Sequence, residues 1–240
     1  MPQESTLRRF QRHITESKRI YRRSRSLRSS IYNFFAASLL VLALFMVFLY
    51  FFFGIGAWLK VFLWTFIFIV AYITFVFTNL PLLRDPSGVQ QDRFGAANIL
   101  TSLRLFAFPP VLVLLLEGRI LLASILYIIA VTTDLIDGYV ARKYSQETVF
   151  GVMLDPVADI LLTMALFLFL WLSGDIPLWL FIILGIRYTQ FFVGLFIFAV
   201  IDSVPHLGAT ATGKIVGIIQ ALGIILLMIK GVTGVAWPNG

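Results

Sequence analysis

Seven stretches of this 240-residue chain are long and apolar enough to cross a lipid bilayer, and that constrains its fold more than anything else in it. A spanning helix needs about 20 mostly apolar residues. Runs at about 31–53, 58–80, 98–116, 120–141, 149–172, 177–201 and 212–231 meet that length. In hydrocarbon every backbone N–H and C=O must find its partner within the protein, so such runs become helices. The expected fold is all-α, a polytopic membrane helical bundle of about seven transmembrane helices. Hydrophobic residues make up 60% of the chain and charged ones 13%, against roughly 25% charged in globular domains. An ordinary soluble domain and a disordered chain are excluded. With no cysteine, so are disulfides, thiolate catalysis and Cys-ligated metal.

The net charge of +7 is unevenly placed. Residues 1–30 hold nine Lys/Arg and two acids, which alone give +7, whereas residues 31–240 hold ten of each. Lys/Arg bias in short flanks sets membrane orientation. The arm holds the N-terminus in the cytoplasm. Alternation then puts 54–58, 117–119 and 173–175 outside, and Arg84, Arg93, Arg142, Lys143 and the 202–211 loop inside. Leu7, Phe10, Ile14 and Tyr21 fall near one helical face, which suits a helix lying on anionic headgroups. Basic clusters also neutralise nucleic-acid phosphates, but topology and lipid contact explain this arm, and no nucleic-acid partner is expected. Residues 1–30 are thus read as a basic cytoplasmic arm and 31–80 as a two-helix transmembrane extension. The Pro-, Gly- and charge-rich stretch 81–97 reads as a linker, and 98–240 as the core.

Four aspartates, Asp134, Asp137, Asp155 and Asp159, stand within 26 residues inside apolar runs. An ionised Asp at the centre of a spanning helix costs about 2.5–3.5 kcal/mol on insertion scales. The spacings i, i+3 and i, i+4 put each pair on one helix face, and the short turn 142–148 makes the two helices antiparallel neighbours, so all four carboxylates converge near the cytoplasmic boundary. Such a group protonates in part, faces water, or holds cations. Two divalent ions would balance four carboxylates, and hard oxygen ligands suit Mg²⁺, Mn²⁺ or Ca²⁺. Two-metal carboxylate sites recur in phosphoryl displacement; the plainer reading is helix-end acids solvated at the interface. Gly138 lets phosphates approach the backbone, or lets helices pack closely. Arg142 is suited to bidentate phosphate recognition, or to anchoring a helix end. Arg187 and Lys214 are cations in or at the start of apolar runs, so they are candidates for an acceptor's phosphate, or else snorkel or pair with the aspartates.

The array Asp134-x-x-Asp137-Gly138-x-x-Ala141-Arg142, eight residues, Gly151, three residues, Asp155, three residues, Asp159 resembles the signature of the CDP-alcohol phosphotransferase family. Asn98-x-x-Thr101-x-x-Arg104 with Pro109 is similar to the opening helix of its phosphatidylglycerophosphate and cardiolipin synthase branches. Gly213-Lys214 with Gln220 is similar to a later segment, in which Gly217 stands where the family usually has Thr. The resemblance implies an integral membrane homodimer with two divalent ions, Mg²⁺ or Mn²⁺. Such an enzyme transfers a phosphatidyl group from CDP-diacylglycerol to an alcohol and releases CMP. It implies that Asp134, Asp137, Asp155 and Asp159 bind metal, that Asp159 is the catalytic base, and that Gly138, Arg142 and Thr148 contact the CDP part. Asn98, Thr101 and Arg104 are assigned to the lipid-phosphate side, against the reading of a polar helix start. Arg187 and Lys214 are assigned to the acceptor.

Glycerol 3-phosphate is the expected acceptor, giving phosphatidylglycerophosphate. Phosphatidylglycerol, giving cardiolipin, is the runner-up, with inositol phosphate behind it. Two other classes compete: a magnesium-dependent membrane prenyltransferase, whose two Asp-rich clusters lie far apart, and a cation carrier, which has no need of Gly138, Ala141 and Arg142 at these spacings. The expected location is a bacterial inner or plasma membrane, with the active site on its cytoplasmic face.

Overall fold

The computed structural model describes residues 6–85, 87–143 and 148–201, and within them all side chains except those of 6–10, 53, 54, 57, 134–143, 192 and 195–201. The seventh apolar run lies outside the described residues, as does Lys214. The described chain is all-helical apart from a single β-bridge between Arg84 and Gln90. Its elements are α1 (Thr6–Arg23), α2 (Arg25–Thr78), a 3-10 turn (Leu80–Leu82), α3 (Ala96–Leu116), α4 (Ile120–Lys143), α5 (Val149–Leu172) and α6 (Leu178–Ile201). Among the described residues, four stretches are long and apolar enough to cross a membrane: Arg25–Phe52, Trp58–Thr78, Ala96–Leu116 and Val149–Leu172. The protein is a multi-pass membrane helical bundle.

The arm and the first span meet at Ser24, earlier than hydropathy places the boundary. Ser24 has an extended backbone and its hydroxyl accepts the Leu27 N–H at 3.2 Å. This side-chain cap satisfies a donor that the helix start leaves free. α1 is helical, as its apolar periodicity predicts, and it packs across the ends of both halves of α2. Ser17 donates to the Thr78 carbonyl at 2.6 Å, the His13 ring lies 3.2 Å from the Asn79 side-chain oxygen, and Tyr21 stands edge-on to Phe77.

Residues Arg25–Thr78 are helical throughout, but they do not run straight. The rings of Phe35 and Tyr72 are 6.1 Å apart, whereas 37 residues of straight helix would separate them by about 55 Å. The chain folds back between Phe52 and Trp58, where the two spans separate. The reversal coincides with the Gly54-Ile55-Gly56 stretch that interrupts the apolar runs.

The next two reversals share one chemistry. Gly118 and Gly174 both have positive φ, 71° and 78°. After α3, Gly118 N–H bonds the Leu115 carbonyl and Arg119 N–H the Leu114 carbonyl; after α5, Gly174 bonds Trp171 and Asp175 bonds Leu170. These are paired Schellman bonds, which close a helix on a left-handed glycine. They make α3–α4 and α5–α6 tight antiparallel hairpins.

Polar links sort the ends of the helices into two sides. Lys60 pairs with Glu117 at 2.5 Å on the side of the α2 reversal. On the opposite side Phe94 N–H donates to Ser30 Oγ at 2.8 Å and Val149 N–H to the Arg84 carbonyl at 2.9 Å. Each side has its own apolar core. Met46, Leu49, Val61, Leu114, Leu166 and Leu170 pack together on the first, and Phe34, Phe35, Tyr72, Phe94, Phe106 and Phe150 on the second. Segment 81–97 contributes to the second core through buried Leu83 and Phe94. Its turn is closed by Asp85, whose carboxylate accepts from Ser87 Oγ at 2.6 Å and Val89 N–H at 2.9 Å. Those hydrogen bonds, the Ser87 hydroxyl first, hold the Asp85 carboxyl below the usual carboxylate range.

The reversal in α2 is open to a direct test. The chain has no native cysteine, so Tyr32→Cys with Phe77→Cys gives a clean pair at a site where the rings lie 6.2 Å apart. A short bis-maleimide is expected to cross-link them within one molecule, read by mass spectrometry. A straight helix would hold them about 68 Å apart and give no such product.

Candidate active site

Helix α3 carries a polar ladder in an otherwise apolar face. Asn98, Thr101 and Arg104 are three residues apart, so they share a face, and all three are at most 2% exposed. Buried polar groups require partners, and α5 supplies them. Thr148 Oγ1 donates to Asn98 Oδ1 at 2.9 Å, and Thr101 Oγ1 donates to Asp155 Oδ1 at 2.6 Å. Arg104 reaches Asp155 Oδ1 at 3.4 Å through Nη2 and Asp159 Oδ1 at 3.2 Å through Nη1. Residue numbers rise together along the two helices, so α3 and α5 run parallel, as α4 between them requires.

The start of α5 is fixed by the same network. Thr148 is the N-cap and its Oγ1 accepts the Gly151 N–H at 3.0 Å while donating to Asn98. Gly151 N–H, Thr148 hydroxyl and Asn98 carbonyl oxygen thus form one directed chain. A Cβ on Gly151 would meet Asn98 Oδ1 at 2.8 Å and Thr148 Oγ1 at 3.3 Å, so this signature glycine is needed for the close approach of α5 to the Asn98 amide. The Asn98 Nδ2 group is buried and has no hydrogen-bond partner among the described residues.

The two carboxylates differ from the groups beneath them in exposure. The Arg104 side chain is fully buried, while Asp155 and Asp159 are 45% and 56% exposed. Their i, i+4 spacing places them one turn apart on one side of α5. The arrangement is a pair of accessible oxygen donors backed by a buried cation. Guanidinium geometry allows one fork to meet two carboxylates, which a lysine ammonium does not reproduce.

Asp134, Asp137, Gly138 and Arg142 stand on the last three turns of α4, within Ile120–Lys143, and their side chains lie outside those described. The proposed convergence of four carboxylates therefore rests, for that pair, on the position of their helix. Among the described residues there is no group of three or more potential metal-ligating side chains. Arg187 is exposed on α6, its guanidinium 6.0 Å from the Tyr188 ring.

Two features escape reading from the sequence. Arg104 stands 51 and 55 positions before the carboxylates it meets, and no local pattern links them. Thr148 serves as both a helix cap and a bridge to α3; its Ser/Thr type before an apolar run signals only the cap.

Comparison with known proteins identifies the family and several relatives. The family model described as CDP-alcohol phosphatidyltransferase matches residues 94–238. A protein of Cereibacter sphaeroides named CDP-diacylglycerol–glycerol-3-phosphate 3-phosphatidyltransferase is 46% identical over 88 residues, 35% of this chain and 39% of its own length. A Bacillus subtilis protein of the same name is 47% identical over 64 residues, covering 27% and 33% of the two chains. A probable phosphatidylglycerophosphate synthase of Mycobacterium tuberculosis is 36% identical over 97 residues, covering 38% and 46%. The matches thus span less than half of each of these relatives. No solved structure matches the chain.

Removing the Asn98 side chain tests the network. Asn98→Ala strips the Thr148 hydroxyl of its acceptor and loosens the α5 start, at an expected cost of about 1–3 kcal/mol, the usual penalty for leaving a buried polar group unsatisfied. Thermal unfolding in detergent checks it. Gly151→Ala is expected to destabilise in the same direction, and equal melting temperatures for wild type and both variants would contradict the assignment.

Proposed function

The chain belongs to the CDP-alcohol phosphatidyltransferase family, and from that membership we propose that it transfers a phosphatidyl group from CDP-diacylglycerol to glycerol 3-phosphate, releasing CMP. The observation that carries this reading is that the family match, 94–238, contains the whole Asp134–Asp159 array together with the polar ladder that backs it. The acceptor is taken from the names of the relatives.

The chemistry follows from the residues. An oxygen of the acceptor attacks the lipid-side phosphorus, the bond from that phosphorus to the CMP oxygen breaks, and CMP leaves with the electron pair. Asp159 takes the proton of the attacking hydroxyl, a role that requires hydrogen-bond reach of the acceptor. Its exposure and position one turn from Asp155 support that role. Arg104, buried and bonded to both carboxylates, orients them. Thr148 and Asn98 set the start of α5, and so the height of both aspartates.

The donor set fits a hard divalent cation: accessible carboxylate oxygens, with no thiolate in the chain. Two Mg²⁺ or Mn²⁺ ions held by Asp134, Asp137, Asp155 and Asp159 would neutralise the diphosphate and the charge developing in transfer. Gly138, Arg142 and Thr148 are assigned to the CDP part, and Arg187 and Lys214 to the acceptor phosphate. We place the site on the cytoplasmic face because the cation-rich arm packs on that side of the bundle. A homodimer is the assembly this reading carries.

The test is an acceptor screen with purified protein, labelled CDP-diacylglycerol and Mg²⁺ or Mn²⁺. CMP release that requires glycerol 3-phosphate and stops with chelator is expected. Release with phosphatidylglycerol instead would change the acceptor, and none with any acceptor would overturn the activity.

Two variants sharpen the roles. Asp159→Asn is expected to lower turnover by about 10²–10⁴-fold, the range for a positioned base, with CDP-diacylglycerol binding retained; surviving turnover would remove Asp159 from that role. Arg187→Ala is expected to raise the acceptor KM by about tenfold or more, as loss of a charged hydrogen bond does. An equal rise in the lipid KM would make the residue structural.

A further inference from the structure

A cluster of arginines lies on the site's side of the bundle, outside the Asp134–Asp159 array. α1, the first turn of α2 and the 81–92 segment line an open cavity of about 710 Å³. Four arginines line it, Arg19, Arg23, Arg25 and Arg84, against two acids, Glu16 and Asp92. All four are exposed, and none of their guanidiniums has an ion-pair partner among the described residues. Asp85, next to Arg84, has its carboxylate engaged by its own turn. The start of α2 forms part of the wall and adds the partial positive charge of a helix N-terminus.

The location selects the kind of anion. Arg25 is the first residue of the first span, and Arg84 follows the second span by a short turn. The cavity therefore sits where headgroups lie, with apolar span residues directly beneath it. Guanidinium forks match phosphate oxygens bidentately, and basic groups at a membrane surface attract anionic lipids.

We propose that this cavity binds the phosphate of an anionic phospholipid headgroup, as a site separate from the transfer centre. α1 lies over the lipid from one side and Arg84 holds it from the other. The Arg84 carbonyl accepts the Val149 N–H that opens α5, so the headgroup site stands one hydrogen bond from the helix bearing Asp155 and Asp159.

The experiment is native mass spectrometry of the full chain in detergent, titrated with phosphatidylglycerol and, separately, phosphatidylcholine. Preferential retention of phosphatidylglycerol is expected. Arg25→Gln and Arg84→Gln should each weaken it by about fivefold, the fold-change for about 1 kcal/mol per arginine near a membrane surface. Arg22→Gln, an exposed α1 arginine that does not line the cavity, should leave retention unchanged. Melting temperatures monitor folding, since the substituted groups have no described ion-pair partners to lose. Equal retention by wild type and both cavity variants would overturn the proposal, as would an equal loss with Arg22→Gln, which marks general charge attraction. Displacement by millimolar inorganic phosphate or glycerol 3-phosphate would overturn the lipid assignment in favour of a soluble anion. The readout is lipid binding, so its failure is distinct from failure to release CMP.

Discussion

A fully buried guanidinium is the fixed point of this bundle. Arg104 has no side-chain exposure and meets Asp155 and Asp159, one turn apart on α5. Burying a charge without its partner costs several kcal/mol, so only a register of α3 against α5 that brings Arg104 between those carboxylates is tolerable. Thr101 and Asn98, one and two turns earlier, fall into place opposite Asp155 and Thr148. A one-turn slip would break all of these contacts together. The ladder therefore specifies how two parallel helices align, which apolar packing alone leaves loosely determined.

The rest of the fold serves that alignment. The α2 hairpin closes the far side of α3, and Tyr72 hydroxyl meets Ser102 Oγ at 2.6 Å within the buried aromatic layer. Phe106 stacks on Phe34 at 6.0 Å and stands edge-on to Tyr72 at 5.2 Å. Phe94, from segment 81–97, lies between Phe34 and Phe150. Aromatic pairs of this kind contribute about 0.5–1.5 kcal/mol beyond their area, and here they join the extension, the segment and α5 into one layer beneath the site.

Much of this was legible in the sequence. Spans 98–116, 149–172 and 177–201 lie within a few residues of α3, α5 and α6, because hydrophobic length and glycine termination are local properties. The i, i+4 pair of acids was visible for the same reason. What the sequence withheld was long-range: the Arg104 partners, the Asn98–Thr148 bond and the packing of segment 81–97. A cation among apolar residues signals that a counter-charge exists, but spacing along one helix carries no information about which other helix supplies it. Arg104 and Arg187 look alike by that criterion. The structure separates them by burial, since Arg104 is enclosed and Arg187 is exposed on α6.

The same distinction reorganises the charge of the whole molecule. The body beyond residue 30 is formally neutral, yet neutrality there is not uniform pairing. Lys60 and Glu117 pair at one end of the bundle, while at the other the buried Arg104 guanidinium meets both Asp155 and Asp159. Asp155 and Asp159 stay about half exposed beside that buried cation. Positive charge lies around the cavity of Arg19, Arg23, Arg25 and Arg84, at the membrane boundary. Basic groups so placed attract anionic headgroups at a membrane surface. The molecule thus carries a half-exposed carboxylate pair and an arginine-lined cavity on one side of its bundle, linked through the Arg84–Val149 hydrogen bond.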